Sequence, residues 1–422
     1  MLPFYSKAPG DCKWYVAHIT DCAQISCGLI RAGILVDVNA KNVDVGAGNV
    51  GGGMRIVMIG VQLASLVKFR ALLIRALIAQ GHQVVACAPE PSDYWENLLK
   101  ETGATYVPMP MSRNGINPLR DLRLFMWLVG MLRQQKPDIL FCFQAKAVIY
   151  GLPAGWLAGV NNRIAMIEGL GQGFIPGTGL KRRIVRLVVP ALYFIALRFA
   201  RRVIFLNQND VSDFKRRYLV WDKQIRLVPG IGIDLDKFSQ QPLPAPPLTF
   251  LMIARLIIDK GVREYLAAAQ IVKRKHPEAR FQLIGEPDYS HVGVPVNDVQ
   301  ASGAVDYIGE VRDVRPYLAG CHVFVLPSYR EGMPVAAMEA LATGRAIVTT
   351  TAPGAREMVV PGQNGELIPP CDIKALAQAL LKIVDSAETL ADKGAASRNL
   401  AVSRFEVGKI NQQIISILMS EA

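Results

Sequence analysis

Two glutamates in one short segment are the strongest candidates for a ligand-binding or catalytic site, by residue type and by spacing. Glu331 and Glu339 are eight residues apart within residues 327–344, which read PSYREGMPVAAMEALATG. Proline is favoured at the first position of a helix and glycine just beyond its end, so the segment predicts a helix that begins at Pro334 and is terminated by Gly344. Glu331 is therefore expected in the loop before this helix, and Glu339 on the helix itself.

The start of this predicted helix suits an anionic ligand. The first backbone N–H groups of a helix have no partner within it, and those near Gly332 and Met333 can donate to phosphate or hydroxyl oxygens. Two carboxylates beside such a positive end fit a ligand with hydroxyls on both sides of a diphosphate, which describes a nucleotide sugar. The alternative is that Glu331 is a solvated surface residue and Glu339 only interacts favourably with the helix dipole.

A glycine-rich segment near the start of the chain is a weaker candidate. Residues 46–51, GAGNVG, match the G-x-G-x-x-G pattern of dinucleotide-binding loops. That pattern needs a helix directly after it, whereas the apolar run Met54–Gly60 predicts a buried strand. The favoured interpretation is that residues 1–53 are a flexible leader that need not belong to the fold.

From Met54 onward the chain alternates predicted strands and helices, in two series. The strands of the first series are Met54–Gly60, Gln83–Pro89, Asp138–Phe143 and Arg202–Asn207, and those of the second are Leu248–Ala254, Arg280–Gly285, Val305–Gly309, His322–Pro327 and Ala346–Thr351. Such alternation predicts an α/β protein whose parallel sheets are covered by helices on both faces. The proline-rich residues 241–247 separate the series and are expected to be a hinge.

The pattern therefore predicts two doubly wound, Rossmann-like domains with a ligand cleft between the carboxyl ends of their strands. The N-terminal domain is expected at residues 54–240 and the C-terminal domain at residues 241–405. Residues 406–422 are expected to form a helix that packs back on the N-terminal domain. Because Glu331 follows a predicted strand, its loop lies at the cleft.

Composition narrows the class of protein. The 422 residues are 51% hydrophobic and 19% charged, which is typical of neither a disordered chain nor a coiled coil. Mean hydropathy is high, at +0.24, but no apolar run approaches the roughly 20 residues of a transmembrane helix. The seven cysteines include no C-x-x-C pair, so they predict neither a disulfide framework nor a zinc site.

The net charge of +12 is concentrated in one region, since residues 181–226 contain 12 basic and three acidic residues. Apolar residues recur there at helical spacing: Ile184, Leu187, Val188, Ala191, Leu192, Ile195 and Phe199. An amphipathic helix that is basic at both ends suits docking on an anionic membrane surface. The alternative is an internal helix that packs this stripe on the sheet. Aromatic residues are not interleaved with the cations as in single-strand nucleic-acid platforms, so no nucleic acid is expected as a partner.

The E-x7-E pair within S-Y-R-E-G-M-P resembles the retaining glycosyltransferases of family 4, which have the two-domain GT-B fold. Further segments are similar to that family: 253–261 (IARLIIDKG), 228–238 (VPGIGIDLDKF), 351–357 (TAPGARE) and 364–369 (NGELIP). The resemblance runs from about Met54 to the end of the chain and is most specific in the C-terminal half.

This resemblance implies roles for the donor-site residues. Arg255 and Lys260 would hold the donor diphosphate and stabilise the negative charge of the leaving group. Glu331 would hydrogen-bond the hydroxyls of the transferred sugar, and Glu339 those of the ribose. The backbone around Gly332, Met333 and Pro334 would complete the sugar pocket, although Pro334 has no N–H to donate. Because two cations act at the leaving group, no metal and no cofactor are expected, and the nucleotide sugar is a co-substrate.

Three segments of the N-terminal half resemble one subgroup of this family: residues 111–118 (MSRNGINP), 143–151 (FQAKAVIYG) and 163–174 (RIAMIEGLGQGF). That subgroup acts on polyprenyl-diphosphate-linked saccharides in O-antigen, lipopolysaccharide, capsule or protein-glycan assembly, commonly with UDP-N-acetylhexosamines. Many members of the wider family carry a cleft His that this chain lacks. The resemblance implies that Glu168 orients the acceptor hydroxyl and that Lys146 and Arg113 contact the acceptor diphosphate. The alternative for both cations is an ordinary surface position.

The function expected from this resemblance is a retaining, metal-independent transfer of a sugar, such as N-acetylgalactosamine, from UDP to a polyprenyl-diphosphate-linked saccharide. The enzyme is expected to be cytoplasmic, bound peripherally to the inner face of the plasma membrane. No second inward carboxylate is evident, which favours same-face attack with the leaving phosphate as the base. The alternatives are a nucleotide-sugar 2-epimerase of the same architecture and a non-catalytic, basic membrane-binding protein.

Overall fold

The structure is a computed structural model that describes residues 53–89, 91–111, 117–170, 180–290 and 292–420, with the side chains of 180–184 excepted. Residues 1–52 of the expected leader and Arg113 therefore lie outside the described residues. The described part contains two parallel sheets, and within each sheet helical crossovers connect the strands. This architecture confirms the prediction of two parallel α/β sheets.

The first sheet has seven strands in the order β3-β2-β1-β4-β5-β6-β7, and all its pairings are parallel. Its strands are β1 Arg55–Ile59, β2 Gln83–Ala88, β3 Thr105–Pro108, β4 Ile139–Phe143, β5 Asn162–Ile167, β6 Arg202–Phe205 and β7 Ile225–Leu227. The helices that connect them are α1 Leu63–Ala79, α2 Asp93–Lys100, α3 Pro118–Gln135, α4 Ala145–Leu157, α5 Leu180–Leu197 and α6 Gln208–Arg216.

The second sheet has six strands in the order β10-β9-β8-β11-β12-β13, again with parallel pairings throughout. Its strands are β8 Thr249–Ile253, β9 Arg280–Ile284, β10 Asp306–Gly309, β11 Val323–Leu326, β12 Ala346–Thr350 and β13 Gly365–Ile368. The helices are α7 Val262–Lys275, α8 Val296–Ala301, α9 Arg315–Ala319, α10 Val335–Thr343, α11 Ile373–Asp385, α12 Leu390–Leu400 and α13 Val407–Met419.

Strand β4 shows why these sheets form, because its five residues, ILFCF, are all buried. Successive side chains of a strand point to opposite faces. Phe141 and Phe143 belong to the core on the α1 side, whereas Leu140 and Cys142 belong to the core that α3, α4 and α5 cover. A strand with apolar residues on both faces is stable only when helices cover both, which requires the crossover topology seen here.

Asn207, Pro334 and Gly344 mark the ends of the two helices next to the site, α6 and α10. The Asn207 side chain accepts a hydrogen bond from the Asp210 backbone N–H, at 2.8 Å, and so caps α6. Gly344, in the left-handed conformation at φ 81°, ends α10. Pro334 precedes the first helical residue of α10 rather than occupying it, a difference of one position from the expectation.

Two further segments cross between the sheets. In the proline-rich segment, the backbone oxygens of Gln241 and Pro242 accept hydrogen bonds from the buried Arg345, at 2.7 and 2.9 Å. This attaches the start of the segment to the second sheet. At the end of the chain, α13 lies against α1, and the Asn162 side chain donates to the Leu418 carbonyl at 3.0 Å. The last helix therefore contacts the N-terminal half.

No helix in the described ranges is both long enough and apolar enough to cross a membrane.

Candidate functional site

Glu331 lies in the loop between β11 and α10, at the carboxyl edge of the second sheet, and Lys260 faces it. The Lys260 Nζ is 2.6 Å from Oε1 and 2.7 Å from Oε2 of Glu331. A close backbone approach produces this pairing, because a Cβ on Gly261, at φ 75°, would lie 2.2 Å from the Pro327 carbonyl oxygen. Only glycine therefore lets the turn that carries Lys260 contact the loop that carries Glu331.

The loop that contains Pro353 and Gly354 also contacts Glu331. The backbone N–H of Glu331 donates to the Pro353 carbonyl at 2.9 Å. A Cβ on Gly354, at φ 77°, would lie 2.3 Å from the Glu331 carbonyl oxygen, so this position also needs glycine. The Glu331 side chain is 9% exposed and that of Lys260 is 25% exposed. The backbone of Glu331 is thus held by this loop and its carboxylate by Lys260, and the ammonium retains access to solvent and to an anion.

Arg255 follows β8 at the same edge of the sheet, but the structure does not pair it with Glu331. Its side chain is half exposed, and Nη1 is 3.8 Å from Oδ2 of Asp288. An ion pair of that length at the surface is weak and leaves the guanidinium available to a diphosphate.

Gly332 and Met333 are buried where the Glu331 loop meets the N-terminal half. A Cβ on Gly332 would lie 1.8 Å from the Glu168 carbonyl oxygen, and one on Gly230 would lie 2.9 Å from Cγ of Met333. The structure therefore brings the predicted sugar loop into backbone contact with the segment that carries the predicted acceptor residue Glu168. Pro334 is also buried and directly precedes α10.

Glu339 lies on α10, as the sequence predicts, and is half-buried. Burial raises the pKa of Glu339 to about 7, against the opposing positive charges of Lys237 and Lys68. Lys68 belongs to α1, so Glu339 interacts electrostatically with the N-terminal half. At neutral pH this carboxyl can exchange a proton, and its ionised form can accept hydrogen bonds from two hydroxyls.

On the acceptor side, Glu168 follows β5 and forms an ion pair with Arg70 of α1. The Arg70 side chain is 1% exposed and that of Glu168 is 23% exposed. The guanidinium lies over the Phe143 ring, 5.2 Å from its centroid, and its buried Nε has no hydrogen-bond partner among the described residues. Burial lowers the pKa of Arg70, whereas the carboxylate of Glu168 opposes that shift.

Sequence reasoning missed Arg70, although a signal was present. Arg70 lies in the apolar stripe that Leu66, Leu73, Ile74 and Leu77 form on the buried face of α1. Arginine is almost never fully buried without a partner. A cation at a core position of a helix therefore predicts a buried carboxylate opposite it.

Lys146 pairs with a carboxylate of α3. Lys146, at the start of α4, lies 3.3 Å from Oδ1 of Asp121, and both side chains are mostly buried. Asp121 also hydrogen-bonds the Tyr150 hydroxyl, whose pKa rises to about 12, mainly through burial. Lys146 is thus part of a polar cluster rather than an ordinary surface residue. Arg113 lies outside the described residues.

The Glu331 loop makes polar contacts with α6 that the sequence did not predict. Arg330 Nη2 donates to Asp210 and to Asp213, the latter at 2.6 Å, and Asn207 Nδ2 donates to the Gly332 carbonyl at 2.7 Å. The signal available was Asn207, a polar residue two positions after the end of β6. Its cap on α6 places two carboxylates at the carboxyl edge of the first sheet.

Within the described residues no group of three or more His, Cys, Asp or Glu side chains is close enough to hold a metal ion.

Comparison with known proteins gives two family matches. Residues 234–400 match the model of glycosyl transferases group 1, and residues 68–230 match a glycosyl transferase 4-like domain. The chain is 31% identical over 326 residues to N,N'-diacetylbacillosaminyl-diphospho-undecaprenol alpha-1,3-N-acetylgalactosaminyltransferase of Campylobacter jejuni, covering 74% of this chain and 84% of that protein. It is 27% identical over 339 residues to UDP-Gal:alpha-D-GlcNAc-diphosphoundecaprenol alpha-1,3-galactosyltransferase of Escherichia coli, covering 75% and 83%.

Solved structures show the same fold at low identity. HepE of Anabaena, in complex with UDP and glucose, superposes with a TM-score of 0.72 at 19% identity and covers 87% of this chain and 100% of that one. Sucrose-phosphate synthase of Thermosynechococcus elongatus superposes with a TM-score of 0.70 at 20% identity, covering 86% and 98%. With the two parallel sheets, these likenesses confirm the GT-B fold.

Proposed function

This chain belongs to the group 1 glycosyltransferases, and we propose that it transfers an N-acetylhexosamine, such as N-acetylgalactosamine, from UDP to a polyprenyl-diphosphate-linked saccharide. Transfer would retain the anomeric configuration and need no metal ion. The relatives reported above are named as glycosyltransferases, which leaves the 2-epimerase and the non-catalytic membrane-binding protein without support.

One observation carries the proposal: the pair of Lys260 and Glu331, at the edge of the second sheet, adjoins the segment of Glu168. A carboxylate that orients sugar hydroxyls, a cation for the diphosphate and an acceptor-side carboxylate are the groups that glycosyl transfer needs. The relatives add the substrate class, since both are named for acceptors linked to undecaprenyl diphosphate.

Charge at the leaving group explains the assignments of Arg255 and Lys260. When the bond between the anomeric carbon and the diphosphate breaks, negative charge develops on the phosphate oxygens. Cations fixed beside those oxygens stabilise that charge more than they stabilise the ground state. Arg255 is half exposed and has one long ion-pair contact, so it can reorient onto a diphosphate.

The configurations of the proposed donor and of the relatives' products support the proposal of retention. UDP-hexosamines are α-linked, and both relatives are named for alpha-1,3 products. In the proposed step the acceptor hydroxyl attacks the face that UDP leaves, and a β-phosphate oxygen of UDP takes its proton. Glu331 is held by Lys260 and orients sugar hydroxyls rather than attacking. Isolation of a glycosyl adduct on any side chain would refute this step.

Glu168 would act on the acceptor through its position rather than as a free base. The buried guanidinium of Arg70 holds one carboxylate oxygen, so the carboxylate can accept a hydrogen bond from the acceptor hydroxyl without itself moving. Lys146, close to Asp121, would contact the acceptor diphosphate with a charge that its neighbour already orients.

The membrane-facing surface is proposed from α5 and the segment after α6. Leu187, Phe194 and Ile195 of α5 are exposed, whereas Tyr193 and Leu197 are buried against the core. The helix thus packs one face and presents another apolar face to the outside. At its end a cavity of about 430 Å³ is lined by Arg198, Ala200, Arg201, Arg202, Trp221, Lys223, Gln224 and Arg226. Exposed apolar residues beside clustered cations suit an anionic lipid surface, which supports our proposal that the enzyme binds peripherally at the cytoplasmic face of the plasma membrane.

The test is product analysis with the full chain. UDP-N-acetylgalactosamine, UDP-N-acetylglucosamine, UDP-galactose and UDP-glucose are each offered with undecaprenyl-diphosphate-linked di-N-acetylbacillosamine or N-acetylglucosamine, with and without a chelator. We expect mass spectrometry to show one added N-acetylhexosamine, undiminished by the chelator. Extension only by a hexose without an N-acetyl group would refute the donor class. Loss of product with the chelator would refute metal independence.

A further inference from the structure

We propose that Arg330 is a positioning residue for Glu331. It acts through its contacts with Asp210 and Asp213 of α6, which exist only when the two halves of the enzyme meet. The inference rests on the proposed function, because it assumes that Glu331 orients the transferred sugar. It adds a role for four residues, Asn207, Asp210, Asp213 and Arg330, that the donor and acceptor assignments do not use.

The contacts lie on both sides of Glu331 along the chain. One residue before it, the Arg330 guanidinium donates to the carboxylates of Asp210 and Asp213. One residue after it, the Gly332 carbonyl accepts from Asn207 at 2.7 Å. All three partners of the loop belong to α6 or to its N-cap, in the N-terminal half. The residues on either side of Glu331 are therefore held by the opposite domain, whereas Glu331 itself contacts Pro353 and Lys260 of its own domain.

The side chains of Arg330, Asp210 and Asp213 are largely buried, which makes their ion pairs sensitive to the loss of either partner. The Arg330 side chain is 17% exposed, that of Asp210 is 0% exposed and that of Asp213 is 18% exposed. If one partner of a buried ion pair is removed, the other is left as an unpaired buried charge, which is unfavourable and changes the local structure. Both carboxylates accept from one guanidinium nitrogen, Nη2. A lysine ammonium could also donate to both, but its flexible stem would hold the nitrogen in place less firmly than the planar guanidinium does.

Asn207 links the two sets of contacts. Its side-chain oxygen caps α6 by accepting from the Asp210 N–H at 2.8 Å, while its Nδ2 donates to Gly332 and, at 3.1 Å, to Oδ2 of Asp210. The cap that begins α6 therefore also orients the carboxylate that Arg330 needs. One amide side chain joins the fold of the first sheet to the sugar loop of the second.

The arrangement separates donor binding from transfer. The residues assigned to the diphosphate and ribose are Arg255, Lys260 and Glu339. All three lie in the C-terminal half, and within the described residues none forms a hydrogen bond or ion pair with α6. Loss of the Arg330 contacts should leave UDP bound as before while Glu331 and the acceptor segment at Glu168 lose their alignment. Misplacement of a reacting group by about 1 Å can lower the rate about 10²-fold.

The experiment measures kcat and KM for the donor, and the dissociation constant of UDP by calorimetry, in three full-chain variants. Arg330→Ala removes the guanidinium, Arg330→Lys keeps the charge, and Asp213→Asn removes one carboxylate charge with little change of shape. Lys382→Ala is the matched control, because it breaks an exposed ion pair of 2.7 Å with Glu366 in the same half. Circular dichroism and thermal unfolding establish that each variant folds.

We expect kcat to fall about 10²-fold in Arg330→Ala, less in Arg330→Lys and Asp213→Asn, and not at all in Lys382→Ala. The UDP dissociation constant should change less than about threefold in every folded variant. If Arg330→Ala does not fold, Asp213→Asn carries the test. Unchanged kcat in the folded variants would overturn the proposal, as would UDP binding that weakens in parallel with kcat. A failure of the proposed function is distinct, since the wild type itself would then transfer no N-acetylhexosamine to the acceptor.

Discussion

The ammonium of Lys260 lies 2.6 and 2.7 Å from the two carboxylate oxygens of Glu331. Each group thus has its partner within the protein before any ligand arrives. The proposed donor presents a diphosphate to Lys260 and hydroxyls to Glu331, so both groups can keep their charges satisfied when it binds. The free site is held ready at little cost in reorganisation, which is the arrangement that favours electrostatic stabilisation of a transition state.

The first prediction concerns Lys260→Ala. The variant should lower kcat by about 10² to 10³-fold, because it removes a charge that interacts with the leaving diphosphate and also leaves Glu331 without its partner. Lys260→Arg should recover part of the loss. Steady-state kinetics on folded protein measure the effect, with Lys382→Ala as the control for loss of an exposed lysine. A Lys260→Ala enzyme with full kcat would remove Lys260 from the site.

The second prediction is a pH dependence of stability that depends on Glu339. Its folded pKa, raised by burial to about 7 from the ordinary value of 4.5, means that the folded state binds the proton more tightly than the unfolded state. Its contribution to stability is present below pH 4.5 and is lost as the pH rises through about 7. Glu339→Gln should remove that loss, of about 2 kcal/mol at pH 8 after allowance for partial exposure. Urea unfolding at pH 5.5 and pH 8 measures it, and identical pH profiles of the two proteins would contradict the prediction.

The third prediction concerns the same carboxyl in binding. If the ionised form of Glu339 accepts hydrogen bonds from ribose hydroxyls, the KM for the donor should rise as the pH falls from 8 to 6. In Glu339→Gln the KM should be higher at pH 8 and nearly independent of pH. A wild-type KM that does not change between these pH values would separate Glu339 from the ribose.

The fourth prediction tests the ion pair of Arg70 and Glu168. Arg70→Met should destabilise the fold by about 3–5 kcal/mol, because it leaves the Glu168 carboxylate without its buried partner. The double variant Arg70→Met/Glu168→Gln should regain most of that stability, since no unpaired charge remains, yet it should stay inactive. Chemical unfolding and turnover measure the two effects. Equal stability of the single and double variants would show that the pair does not act as a unit.

The fifth prediction concerns the proposed membrane-facing surface at the end of α5. Substitution of Arg201, Lys223 and Arg226 by alanine removes three cations that line one cavity. At about 1 kcal/mol for each cation, affinity for vesicles with phosphatidylglycerol should fall about 10²-fold, and added salt should weaken the wild type similarly. The matched control removes Lys273, Arg274 and Lys275 at the end of α7. Equal flotation of both triple variants, or indifference to lipid charge, would contradict docking through this surface.

Much of the fold follows from local sequence patterns. Continuous apolar runs such as that of β4 predict buried parallel strands, and Pro334 with Gly344 brackets α10 to within one residue. The placement of Lys260 and Glu331 near one another also follows, because each comes shortly after a buried strand and the carboxyl ends of parallel strands share an edge.

The contacts between distant segments do not follow from such patterns. Arg70 and Glu168 are 98 residues apart in the chain, and Arg330 and Asp210 are 120 residues apart. Neither pair has a spacing that links its members, because both depend on how the helices pack on the sheets and how the halves meet. The amphipathic pattern of α5 shows the same limit, since it indicates an apolar stripe without showing that Leu187 and Ile195 are exposed.

The central claim is that Glu331 orients the sugar in a retaining transfer from UDP to a polyprenyl-diphosphate-linked saccharide. The most direct measurement is the product formed from UDP-N-acetylgalactosamine by the wild type and by folded Glu331→Ala, analysed by mass spectrometry and by NMR of the new anomeric proton. We predict one added N-acetylhexosamine in α-linkage, and a loss of at least about 10²-fold in rate in the variant. A β-linked product, or undiminished transfer by Glu331→Ala, would contradict the account.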